Sequence, residues 1–69
     1  MTMVLHITPW ERGALEQLAS GVALTEIALR LGMKEPDVES RLTALFARMG
    51  VTTRTEAVAA AVRRGLLAA

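Results

Sequence analysis

The 69-residue sequence has no cysteine and no tyrosine. Without a thiol there is no disulfide, no thiolate nucleophile and no thiolate metal ligand. Aromatic side chains are nearly absent as well: Trp10 and Phe46 are the whole set. The apolar content of 52% therefore rests on aliphatic residues, many of them alanine. No run approaches the ~20 apolar residues that a membrane-spanning helix needs. The opening MTMVLHI lacks the basic start and long apolar segment of a signal peptide. Excess charge of either sign is missing too, with 8 Lys and Arg against 7 Asp and Glu. A net charge of +1 falls short of the basic patch that marks many nucleic-acid binders. Only the end of the chain leans basic, with Arg54, Arg63 and Arg64 against Glu56. His6 stands alone, with no second histidine and no carboxylate at ligand spacing. There is no Ser/His/Asp set and no glycine loop that would cradle phosphate. These gaps argue against an enzyme, a resident metal or cofactor, a small-molecule site and a membrane role. They fit a cytoplasmic protein.

What is present is punctuation. Gly21, Gly32, Gly50 and Gly65 each follow a stretch with helical apolar spacing. A glycine just past a helix end takes the left-handed conformation without steric cost. The spacing predicts four helices, near Pro9–Ser20, Leu24–Leu31, Pro36–Met49 and Thr55–Arg64, in a single 1–69 domain. The chain is all-α, and no strand pattern competes. Thr8, Pro9 and Glu11 supply an N-cap, a first-turn proline and a capping box for the first helix. Thr53 and Glu56 have the same spacing before the fourth. The expected inner stripes are Ala14, Leu15 and Leu18; then Ile27, Ala28 and Leu31; then Val38, Leu45 and Met49, flanked by Leu42 and Phe46. The fourth helix is expected to bury Val58, Ala61 and Val62, leaving Ala59, Ala60 and Arg63 off the core. Trp10 is expected to cover the space beside Ala14.

Only GMK separates the second and third helices. Two helices with a short glycine-led turn make a helix-turn-helix, whose second member enters the DNA major groove. Such turns also join helices that bind nothing.

The residues are more specific than the spacing. ITPWERGALEQLASGVALTEIALRLGM, followed by VESRLTALFARMGVTTRTEAVAAAVRRGLL, resembles the LuxR/NarL/GerE-type DNA-binding domain. That family commonly reads L-T-x-R-E-x-E-V-L, G-x-S-N-K-E-I-A-x-x-L, S-x-x-T-V-K-x-H and K-L-x-V-x-x-R-x-x-A-V. The matching residues run from Thr8, Glu11 and Leu15 through Gly21, Glu26, Ile27, Ala28, Leu31 and Val38. They continue to Gly50, Val51, Arg54, Ala57, Val58, Gly65 and Leu66. The resemblance implies a four-helix transcription regulator domain that binds double-stranded DNA as a homodimer through its fourth helix. Carried over position by position, Glu39, Ser40 and Thr43 would face bases. Thr25, Asp37, Arg41, Arg48 and Arg54 would face phosphates, and Ala59, Ala60 and Arg63 would form the dimer contact.

The departures fall at polar positions. Ala23 and Lys34 replace the capping serines, Asp37 a threonine, Glu39 a lysine and Arg41 a histidine. Two of the eight DNA-facing positions are therefore acidic, against a polyanionic ligand. Carboxylates at a helix start also complement the helix dipole, so Asp37 and Glu39 have a stabilising reading. Glu39 has a second one, because a carboxylate accepts from the cytosine amino group. Arg41 and Arg48 read either as phosphate clamps or as solvated surface charges. The competing function is a protein-interaction or dimerisation module on the same fold with lost DNA affinity. A contact to RNA polymerase is a third possibility, since sigma factors arrange helices similarly.

Overall fold

The computed structural model describes residues 6–67. The ends of the 1–69 domain, and most of the stretch read for signal-peptide character, lie outside the described residues. Four helices follow in order: α1 (Pro9–Ala19), α2 (Leu24–Leu31), α3 (Glu35–Met49) and α4 (Arg54–Arg63). The described residues contain no strand. Predicted and observed boundaries agree to within one residue.

The starts follow the local chemistry. Thr8 Oγ1 accepts from the Glu11 N–H at 3.1 Å, and Glu11 Oε1 accepts from the Thr8 N–H at 2.9 Å. That is the reciprocal capping box the sequence predicts. At α4 only half of a box forms: Thr53 accepts from the Glu56 N–H, while the Glu56 carboxylate takes the hydroxyls of Thr52 and Thr53. Ala23 and Lys34, at the starts of α2 and α3, make no side-chain cap.

The ends are alike. At the end of α3, Gly50 has φ 72°, its N–H bonds to Ala47 O, and the Val51 N–H reaches back to Phe46 O at 3.0 Å. This is the Schellman arrangement, and it requires a residue that tolerates positive φ. Gly32 with Met33 repeats it at the end of α2, as do the glycines after α1 and α4. The residue after each glycine, Val22, Met33, Val51 or Leu66, then packs on the core. Each helix end thus turns the chain and adds an apolar contact in the same step.

Leu15, Ile27, Val38 and Leu45 are fully buried and form the centre, one or more from each of α1, α2 and α3. Leu42 belongs to this core at 5% exposure rather than to its flank, while Leu31 and Phe46 are only partly covered. The inward face of α4 differs from the expected one. Ala57, Ala60 and Ala61 face inward, and Val58 and Val62 are half-buried beside them. Ala60 is 2% exposed and so does not lie off the core. The run AVAAAV from Ala57 to Val62 is apolar at every position, so its pattern selects no face. The small side chains set the face by letting α4 approach α1 and α3 closely. Gly13 lies inside α1 with no atom near the place of a Cβ, so it carries only the entropic cost expected of glycine, about 1 kcal/mol against alanine.

Candidate nucleic-acid interface

The α2–α3 pair forms the predicted helix-turn-helix, with Gly32 in the left-handed turn at φ 64°. α3 buries Val38, Leu42, Leu45 and Met49. At 3.6 residues per turn, the opposite side of the helix carries Pro36, Ser40, Thr43 and Ala47. All four are exposed, small and uncharged. Of the residues expected to face bases, Ser40 and Thr43 lie on this crest. Glu39 is exposed but sits about a quarter-turn away. It shares an open cleft with Leu24, Thr43, Phe46, Thr52 and Arg54. Pro36 and Ala47 complete the crest, and helical periodicity applied to the buried stripe would have found both.

Asp37, Arg41 and Arg48 lie on the other flank, the one turned toward α1. The acids therefore stand on opposite sides of a neutral crest. Asp37 is in the first turn and favours the helix dipole; Glu39 lies beyond that turn, where the dipole effect has faded. Neither supplies a capping hydrogen bond in place of the missing serine.

The arginines divide sharply. Arg48 is held by α1: its Nη1 donates to Glu11 Oε2, and its Nη2 to Glu11 Oε1 at 3.4 Å and to His6 O at 2.7 Å. Arg54 Nη2 donates to Val22 O at 2.8 Å. Arg12 Nη1 donates to Leu66 O at 2.6 Å, and Arg64 Nη2 to Met49 O at 3.4 Å. These side chains fasten loop and helix-end carbonyls across the domain. Arg64 thus serves the C-terminus of α3. Arg41 makes no hydrogen bond or ion pair among the described residues; its guanidinium lies 5.2 Å from the Trp10 ring centre. Thr25, the other phosphate candidate, donates its hydroxyl to Glu35 Oε2 at 3.1 Å. That contact joins the starts of α2 and α3 and places a carboxylate against the Thr25 hydroxyl. No local spacing signals this partner for Glu35, because the two residues meet only once the turn is made.

Glu11 is the one buried charged residue among those described, at 9% exposure. Burial by itself would raise its carboxyl. The Thr8 N–H, the Arg48 guanidinium and the Thr8 hydroxyl together outweigh burial and hold it below its ordinary value of 4.5. A carboxyl with a depressed folded-state pKa adds stability that is present above the unfolded value. That stability is lost as pH falls through the folded value. Acid titration of the melting temperature should therefore show a fall below about pH 4.5 that is reduced in Glu11→Gln. Identical acid limbs for the two proteins would show that ionised Glu11 contributes no such stability.

Comparison with known proteins bears on this geometry. The family of bacterial regulatory proteins of the luxR type matches residues 5–61, a span that takes in α1, α2, α3 and all but the last two residues of α4. The chain belongs to the luxR family. It is a LuxR-type helix-turn-helix domain of the DNA-binding transcription regulators, not an enzyme domain. It is 39% identical over 62 residues to "Transcriptional regulatory protein YdfI" of Bacillus subtilis, a match covering 90% of this chain and 29% of that one. It is 36% identical over 62 residues to "Response regulator Rre1" of Synechocystis, covering 90% and 27%. "Probable HTH-type transcriptional regulator GfsR" of Streptomyces halstedii is 33% identical over 54 residues, covering 78% and 22%. The LuxR-type chain thus spans less than a third of the length of these relatives. No solved structure matches it. Among the described residues no helix is long and apolar enough to cross a membrane.

Proposed function

We propose that the whole 1–69 chain acts as a single LuxR-type domain, placing α3 in the major groove of double-stranded DNA and regulating transcription in the cytoplasm. The observation that carries this is the crest of α3. Base edges in the major groove are read by hydrogen-bonding side chains on the outer face of the helix, and serine and threonine hydroxyls are among those that can do so. Ser40 and Thr43 provide them, with Glu39 at the side as an acceptor for a cytosine amino group. Arg41 is the first phosphate contact, because its donors have no other partner among the described residues. Arg48, Arg54 and Thr25 contribute from positions already committed to Glu11, Val22 and Glu35. Asp37 opposes the phosphates on its flank. Pairing of two copies through α4, using Ala59 and Arg63, would present two reading helices to two half-sites. Ala60 is buried and plays no direct part in that contact.

Titration with a mixed-sequence DNA duplex at several salt concentrations tests the proposal. The affinity is expected to be low, with log K falling against log salt by about 0.9 for each phosphate neutralised. Sedimentation in the presence of DNA should show pairs that Ala59→Glu separates. A protein that binds no duplex even at low salt would instead be an interaction module, with Thr25 and the α3 acids as its polar face.

A further inference from the structure

Trp10 and Arg41 form a contact that the core does not require. Trp10, on the first turn of α1, is half-buried against the core, and its indole N–H is buried without a hydrogen-bond partner. Its ring, together with Thr8, Glu11, Arg41 and Ala44, lines a shallow cleft between α1 and α3. The Arg41 guanidinium lies over the ring face, 5.2 Å from its centre. A competing partner is close at hand. Asp37 precedes Arg41 by four residues on the same helix, a spacing and order that favour an ion pair. No such pair forms: the ion pairs among the described residues are Arg30–Glu26 and Arg48–Glu11. The cation is thus drawn to the ring, which attracts it through the negative face of its π-system. That attraction uses none of the guanidinium N–H donors, and Arg41 remains exposed on the flank of α3 turned toward α1.

We infer that Trp10 is a positioning residue for DNA binding: its ring holds Arg41 away from Asp37, with its N–H donors presented to a phosphate. The inference rests on the DNA-binding orientation proposed above. An arginine captured from solution loses rotamer freedom when a phosphate fixes it. An arginine already held on a ring has given up part of that freedom, so the phosphate contact costs less. The fork of donors on a guanidinium suits a phosphate's paired oxygens. The ring contact does not neutralise the charge, in contrast to the Glu11 contact of Arg48.

A double-mutant cycle on the 69-residue chain tests this. Wild type, Trp10→Leu, Arg41→Gln and the double variant are titrated with a short mixed-sequence duplex over a range of salt, and each melting temperature is recorded. Arg41→Gln is expected to lower the salt slope by about 0.9. Trp10→Leu is expected to weaken binding by about two- to tenfold, the span implied by one immobilised side chain. The same change should cost nothing further in the Arg41→Gln background. Trp10→Phe, which keeps an aromatic face, should recover most of the loss and guards against a Trp10→Leu that fails to fold. Since Trp10 is the single tryptophan, its emission should change as duplex is added, and change less in Arg41→Gln. Equal losses from Trp10→Leu in both backgrounds would reduce Trp10 to a packing residue and overturn the inference. So would an unchanged salt slope in Arg41→Gln. If wild type binds no duplex at any salt, the DNA-binding orientation itself fails, and this inference with it.

Discussion

Leu45→Ala is expected to remove ~2–5 kcal/mol of stability, enough to leave a large part of the population unfolded at room temperature. Leu45 is at 0% exposure in the middle of α3, within the core that α1, α2 and α3 build together. Shortening it removes apolar burial and leaves a cavity that the neighbouring helices fill only in part. A chain this small has little reserve, because it buries only roughly 60% of its unfolded surface. Urea denaturation followed by helical circular dichroism measures the loss. Leu29→Ala is the matched control: Leu29 is 72% exposed, and its removal should change stability by no more than ~0.5 kcal/mol. If the two variants melt alike, α3 does not pack through Leu45. Burial also decides what a charge placed on α4 does. Ala60→Glu would break the fold, whereas Ala59→Glu tests the surface.

Exchanging Asp37 for threonine and Glu39 for lysine is expected to raise affinity for mixed-sequence duplex by roughly tenfold at low salt. Two negative charges go and one positive charge arrives, so the formal net charge moves from +1 by three units to +4. The two sites flank the crest of α3 on opposite sides, and both backbones of a groove would feel the change. The new lysine should add about 0.9 to the salt slope if it meets a phosphate. Stability should fall slightly, by about 0.3–1 kcal/mol, because Asp37 sits in the first turn and complements the helix dipole. No gain in binding would mean that this surface does not face DNA, which favours an interaction module. A gain on generic duplex coupled with loss of one particular sequence would mean that Glu39 reads a base.

The acidic start of α3 looks severe in the sequence and less so in three dimensions. Asp37 and Glu39 project to different flanks, and the Glu35 carboxylate is occupied by the Thr25 hydroxyl. The outermost line, Pro36, Ser40, Thr43 and Ala47, is neutral. A linear reading counts the acids together, whereas helical rotation separates them.

Local chemistry alone determined the four helices, their order and nearly every boundary. Thr8 with Glu11 starts α1, and a glycine followed by an apolar residue ends each helix. These are interactions among residues at most five apart, so the sequence contains both partners of each. The apolar spacing of α3 likewise determined Val38, Leu45 and Met49 as its buried stripe, to which packing added Leu42. The inward face of α4 was left to the tertiary structure, because every residue from Ala57 to Val62 is apolar and only contact with α1 and α3 selects among them. The fate of the arginines was decided there too. Arg12, Arg48 and Arg54 meet Leu66, Glu11 and Val22 across separations of 54, 37 and 32 residues. No local pattern encodes such pairs. Arg41 differs from them because folding brings it over Trp10 rather than to a carboxylate or a carbonyl.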